Sequence, residues 1–230
     1  MDQKKVFLAG ASGAIGFPLA KLLVKNGYAV TGTTRKMEKA ETLRKVGIKP
    51  VIIDVYDAEK LRKILQSESP DIVIHQLTDL PFGLPPERMK EGITRNNRMR
   101  LRGTQNLLDA MAGLSVTRFL VQSIAFMYQD GKLPHPETDR LSSKELEQFE
   151  TIARNGGFDA TILRYGRFYG EGTGVDIVDE DCRVHISAAA RATILALPKM
   201  KHGVYNVCED RTYADNARFI SETGWDPKAK

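Results

Sequence analysis

The segment Lys5-Val-Phe-Leu-Ala-Gly-Ala-Ser-Gly-Ala-Ile-Gly-Phe17 joins two kinds of pattern in thirteen residues. Val6 to Ala9 is a short apolar run that opens into Gly10, Gly13 and Gly16. The glycines lead into a helical spacing, Ile15, Leu19, Leu22 and Leu23. Strand, tight glycine turn and helix in that order put a helix N-terminus opposite a pyrophosphate. Gly10 supplies the turn, Gly13 lets backbone approach the phosphates, and Gly16 lets helix and strand pack closely. A glycine triplet alone is weak. Directly after an N-terminal strand and before an amphipathic helix, it predicts a dinucleotide site that includes Ser12, Ala14 and Ile15.

Outward from this segment, apolar strands alternate with helical patterns. Strands are expected at 6–9, 29–33, 50–53, 72–75, 119–122 and 160–163, with helices near 15–26, 37–46, 58–67, 88–112 and 142–155. Continuous apolar strands separated by helices predict an α/β fold, a Rossmann-type doubly wound parallel sheet covered on both faces. Residues 1–165 would form the dinucleotide-binding domain and 166–230 a small C-terminal substrate-side lobe. That lobe holds a Gly-rich loop (166–174), an acidic stretch (176–181), an Ala-rich helix (185–197), a strand near 204–207 and a short helix near Trp225.

The chain has 230 residues, 42% hydrophobic and 27% charged, the balance of an ordinary globular protein. The first strand leaves no room for a signal peptide and no apolar run is long enough to cross a membrane, so a cytoplasmic location is expected. Cys182 and Cys208 have no metal-ligand spacing and are expected to be unpaired; no metal site is expected. The net charge of +5 raises the question of nucleic acid. The densest basic stretch, Arg95 to Arg102, places Arg95, Arg98 and Arg102 on one helix face, with Met99, Leu107 and Leu108 on another side. A solvated face, or one turned to an anionic ligand or a second subunit, is the reading; without a recognition motif, nucleic acid is not a predicted partner.

The end of the second strand reads Val30-Thr-Gly-Thr-Thr-Arg-Lys36. A carboxylate there would bind ribose hydroxyls and repel a 2′-phosphate; this chain offers hydroxyls and cations instead. Arg35 can make a charge-assisted fork to that phosphate, so NADP is favoured, with NAD the alternative. Asp54 and Val55 follow the third strand, where Asp54 can bond an adenine amino group or cap the next helix. After the fourth strand, Gln76 and Leu77 pass the cofactor, and His75 reads as a packed strand-end residue rather than a catalyst.

Gly10-Ala-Ser-Gly-Ala-Ile-Gly16, Asp54, Gly103-Thr-Gln-Asn-Leu107, Arg118-Phe-Leu-Val-Gln-Ser123, Pro136-Glu137 and Leu163-Arg-Tyr-Gly-Arg-Phe-Tyr-Gly170 stand in an order that resembles the NAD-dependent epimerase/dehydratase family, the extended short-chain dehydrogenases. Val204-Tyr-Asn-Val207 and Gly224-Trp-Asp-Pro227 match its C-terminal segments, so the resemblance covers nearly the whole chain. It implies a nucleotide site that takes in Tyr165, and a Ser/Thr, Tyr, Lys triad with Tyr-x-x-x-Lys on the helix after the fifth strand. There this chain has Lys144 with Arg140 four residues before it, and the usual triad is absent. Ser123 lies one residue from the family's Ser/Thr position, which falls on Ile124. The regions that shape a sugar-nucleotide pocket are shorter than the family's.

Two functions are therefore expected as alternatives. One is an NADP-dependent oxidoreductase or epimerase/dehydratase acting on a carbonyl or sugar-nucleotide-like small molecule. Its proton would come from Tyr128, with Ser123 and Lys144 assisting, or from solvent. The other is a non-catalytic NADP-binding redox sensor or partner-binding module, with Tyr128 a packing residue. The resemblance also implies a homodimer through the helix carrying Arg95 to Leu108.

Overall fold

A computed structural model describes residues 3–199 and 202–229. The first half of the sheet is laid down by β1 (Lys5–Ala9), α1 (Gly16–Lys25), β2 (Ala29–Thr34), α2 (Met37–Lys45), β3 (Lys49–Ile52), α3 (Ala58–Glu68) and β4 (Ile72–His75). Helix α4 (Pro86–Arg98) runs through a π-helical turn, Met99–Gly103, into α5 (Thr104–Met111). Then come β5 (Arg118–Ile124), α6 (Lys144–Asn155), β6 (Ala160–Tyr165), β7 (Arg167–Tyr169), β8 (Arg183–His185), α7 (Ile186–Lys199), β9 (Gly203–Val207) and α8 (Ala217–Thr223).

Seven strands form one sheet in the order β3-β2-β1-β4-β5-β6-β9, and every pairing is parallel. Successive side chains of a strand point to opposite faces, so a two-sided sheet needs apolar residues at every position. The sequence supplies them: Leu8, Ile74, Leu120 and Leu163 face the layer of α1, α7 and α8. Their neighbours Phe7, Val73, Phe119 and Ile162 face α3, α5 and α6.

The order reverses between β1 and β4. Chain leaving β1 turns one way to β2 and chain leaving β4 the other, which opens a crevice at the carboxyl edge. The domain boundary expected at 165/166 has no matching gap in the packing. Strand β9 extends the main sheet beside β6, α7 packs on α1, and Trp225 shares one core with Leu8 and Leu19. Strands β7 and β8 pair only with each other, parallel, beside the crevice.

Candidate functional site

A cleft of about 1380 Å³ runs along the carboxyl edge of the sheet. One wall is the β1–α1 turn. Gly10 has φ +89°, and a Cβ there would meet the Gln76 carbonyl oxygen at 2.8 Å, so this turn is closed to side chains. Gly13 N–H donates to the Gly10 carbonyl at 3.0 Å and Gly10 N–H to Thr33 Oγ1 at 2.9 Å, which ties the turn to itself and to β2. Of the residues expected to bind nucleotide, Gly10, Ser12, Gly13, Ala14, Ile15, Arg35, Asp54, Val55, Gln76, Leu77 and Tyr165 all line the cleft. Gly16 does not. It stands behind the turn, where a Cβ would lie 2.0 Å from the Gly10 carbonyl oxygen, and so permits the close approach of α1.

At the β2 end, Ser12 Oγ donates to Thr34 Oγ1 at 2.9 Å and Lys39 Nζ to the Ser12 carbonyl at 3.2 Å. Arg35, about half exposed, reaches across to Asp79 at 3.4 Å. Lys36 and Lys39 line the cleft beside it. Asp54 does not cap α3; that role falls to Asp57, whose carboxylate accepts from Lys60 N–H at 3.1 Å. Asp54 instead accepts from Tyr56 N–H at 3.0 Å and faces the cleft.

The middle of the cleft holds polar groups that the described residues leave without partners. Gln76 Oε1 and Gln122 Oε1 are buried acceptors with no donor. A buried acceptor without a donor costs on the order of 1–3 kcal/mol, so such atoms mark where a ligand's polar hydrogens fit. The Tyr165 hydroxyl, wholly buried, bonds Thr193 Oγ1 at 2.6 Å; burial pushes its pKa up, with Thr193 and the Gln76 side chain pulling the other way.

The three residues expected to handle protons are not gathered at the cleft. Tyr128 is buried against the α6 side of the sheet. Its hydroxyl donates to Asn206 Oδ1 at 2.7 Å and accepts from Arg164 at 2.8 Å. Burial raises its pKa to about 12 although Arg164 pulls the other way. Ser123 is fully buried and donates to Glu150 at 2.6 Å. Glu150 grips Arg164 through two bonds of 2.9 and 2.7 Å. Burial alone would lower the Arg164 pKa, but the bonds to Glu150 outweigh it and the net shift is upward. Lys144 opens α6 and is exposed to solvent. The cleft has Ser143 and Leu146 from this helix instead.

Sequence reasoning passed over Arg100 and Gln122, both in the cleft. Gln122 was legible as the residue before Ser123, at the carboxyl end of β5. Arg100 was not, because the π-helical turn rotates the residues after Arg98 relative to a regular α-helix. The expected basic face is also divided. Arg95 pairs with Glu91 at 2.7 Å and lies 3.7 Å from Asp79, while Arg98 stacks over the Tyr56 ring at 4.6 Å.

The family model described as NAD(P)H-binding matches residues 10–196. Among curated proteins, a Streptomyces sp. 3-diazoavenalumate denitrifying reductase is 29% identical over 182 residues, 74% of this chain and 58% of its own length. The chain thus spans less than two thirds of that relative. Protein YeeZ of Escherichia coli K12 is 27% identical over 238 residues, 94% of this chain and 81% of its own. Among solved structures, the Bacillus cereus UDP-glucuronic acid 4-epimerase in complex with UDP-glucuronic acid and NAD superposes with a TM-score of 0.80 at 18% identity. That match covers 98% of this chain and 95% of the other, and it shows the shared fold. Glycine turn, switch-point crevice, strand order and family model agree: the chain belongs to the NAD(P)H-binding family and has the fold of the epimerases that its motif order resembles.

Proposed function

We propose that the cleft takes NADP(H) and that the chain is an NADP-dependent oxidoreductase of a small carbonyl-type substrate. The observation that carries the cofactor choice is the β2 end, where Thr33, Thr34, Arg35, Lys36 and Lys39 line the cleft with no carboxylate among them. A 2′-phosphate there meets cations and hydroxyl donors, and the exposed Arg35–Asp79 pair is weak enough to exchange for it. The glycine turn, closed to side chains at Gly10, and the buried, unpartnered Gln76 Oε1 fit the rest of a dinucleotide. A reductase among the curated relatives supports redox chemistry.

When bound, the nicotinamide supplies or accepts the hydride. The chain's own work is to bind and orient. The N-terminus of α1 would hold the pyrophosphate, Asp54 the adenine and Arg35 the 2′-phosphate, and Gln76 Oε1 would accept a polar hydrogen of the group beside it. With the Tyr128 hydroxyl engaged on both sides, solvent in the open cleft is the proton source this reading favours. The sensor alternative has no observation of its own.

Fluorescence titration at fixed salt tests the reading. NADPH should bind more tightly than NADH, and Arg35→Ala should erase most of the difference, about 10- to 100-fold for a charge-assisted contact. Equal affinities in the unaltered protein would refute the choice of NADP.

A further inference from the structure

We propose that Arg100 receives the carboxylate of the substrate, and that the substrate is an apolar acid with a single negative charge whose body lies against the exposed apolar side chains at the cleft mouth. This rests on the reading above that the cleft acts on a small molecule beside a nucleotide.

Arg100 is carried into the cleft by the π-helical turn and, among the described residues, makes no hydrogen bond or ion pair. Glu150, the carboxylate whose charge acts on Arg100, is committed to Arg164 and Ser123. His75, the other titratable group beside Arg100, stays neutral: burial and the Arg100 charge pull its pKa down to about 4. Burial also draws Arg100 itself down to about 10, with the Glu150 charge pulling the other way. A half-buried guanidinium left in this state is offset by an oxyanion that its planar fork can grip.

The number of charges follows from the neighbours. Of the other arginines near the cleft, Arg167 lines it and pairs with Glu180 at 2.5 Å, and Arg183, on β8, lies 3.7 Å from Glu209. Glu171 and Asp179 also line the cleft and would repel a polyanion. With Lys36 and Lys39 at the β2 end given to the nucleotide on the reading above, Arg100 is the one arginine of the described lining with no ion pair, which suits one negative charge and disfavours a diphosphate.

The apolar body follows from the mouth. Of six large apolar side chains exposed among the described residues, Phe82, Leu84, Ile93 and Ile177 line this cleft. Phe82 and Ile177 are each 75% exposed, and apolar surface gathered at one opening marks a binding site. The loops bearing Phe82, Leu84 and Ile177 meet, with Gly83 N–H donating to the Thr173 carbonyl at 3.3 Å. Gln122 Oε1, the second unpartnered acceptor, is available to a hydroxyl or amide hydrogen of the same molecule.

Calorimetry on NADP⁺-saturated protein with cinnamate, 3-phenylpropionate and octanoate, against cinnamamide and inorganic pyrophosphate, tests this. At least one acid should bind, cinnamamide about 10- to 100-fold more weakly than cinnamate, and pyrophosphate no better than cinnamamide. Arg100→Gln should remove the preference for acid over amide, Arg100→Lys should restore part of it, and both should keep the NADPH affinity of the unaltered protein. Failure of all three acids to bind at millimolar concentration, equal binding of cinnamate and cinnamamide, or a fall in NADPH affinity that parallels the loss of acid would each overturn the assignment. Acid binding in a protein that does not bind NADPH would leave the Arg100 site standing and remove the oxidoreductase reading.

Discussion

A Cβ on Gly16 would lie 2.0 Å from a backbone carbonyl oxygen, whereas one on Gly13 would lie 3.3 Å from the same atom. The two glycines of one motif therefore fail differently. Gly16→Ala must push α1 off the turn after β1 and should cost about 3 kcal/mol, the upper end for overpacking, in urea unfolding. Gly13→Val puts its branches where the proposed nucleotide's phosphates would lie; the fold should persist and NADPH binding should be lost in a fluorescence titration. A second residue-level consequence concerns pH. His75 Nδ1 accepts from Leu77 N–H at 3.2 Å, so in the neutral ring Nε2 carries the hydrogen toward Thr104 Oγ1 at 2.9 Å. Protonation would break the first bond inside the core. The unfolded chain takes up this proton near pH 6.5 and the folded one near 4, so stability falls as pH drops through that window and is constant above it. The loss is on the order of 3 kcal/mol at its full extent. His75→Gln, which cannot titrate, should show a flatter stability profile between pH 6.5 and 4.5 by urea unfolding.

Elements made of local pattern were legible in the sequence. The strands expected through residue 163 are present, and so are the helices except the one at 88–112, because two-sided burial and 3.6-residue spacing are written in consecutive residues. That the turns after β1 to β4 line the cleft was legible too, since the turn after each strand places its next residues at the sheet edge. What could not be read was set by long-range contacts. The π-helical turn replaced one expected helix with two segments and aimed Arg100 inward. The short pair β7–β8 depends on residues sixteen positions apart. The Tyr128 network joins β6, β9 and the loop before α6, and nothing in the order Tyr128, Glu137, Glu150, Arg164, Asn206 announces that they meet. Tyr128→Phe tests what that network does. It leaves Asn206 and Arg164 short of a partner and should cost about 1–3 kcal/mol of stability. NADPH affinity should stay within about twofold of the unaltered protein, and turnover of any substrate found should do the same. A fall in turnover of about 100-fold or more would return Tyr128 to the chemistry.

For the molecule as a whole, the question is whether residues 166–230 stand apart from the sheet or complete it. Strand β9 is hydrogen-bonded to β6 over five residue pairs, so without it β6 would be an open edge. The small side chains of α7, Ala188 to Ala190 and Ala192, let it settle on α1 in the same core as Leu19 and Leu23. The only tryptophan, Trp225, is 2% exposed, donates Nε1–H to the Ala188 carbonyl at 3.0 Å and meets the Phe219 ring edge-on at 5.6 Å. Its fluorescence reports the far C-terminal packing, while far-UV ellipticity reports helices spread along the chain. If both belong to one core, urea should shift the tryptophan emission and the ellipticity along coincident curves, as an all-or-none transition requires. Loss of NADPH binding, which reads the β1–α1 turn, should follow the same curve once ligand linkage is allowed for. A tryptophan midpoint lower than the ellipticity midpoint by more than about 0.5 M urea would mean that the C-terminal segment melts alone. The cleft would then be bounded by two units that can part, because the loops around Thr173 and Ile177 would go with the C-terminal one. Coincidence makes the two ends of the cleft equally rigid, and a cleft lined from β1, β5 and β7 together depends on that.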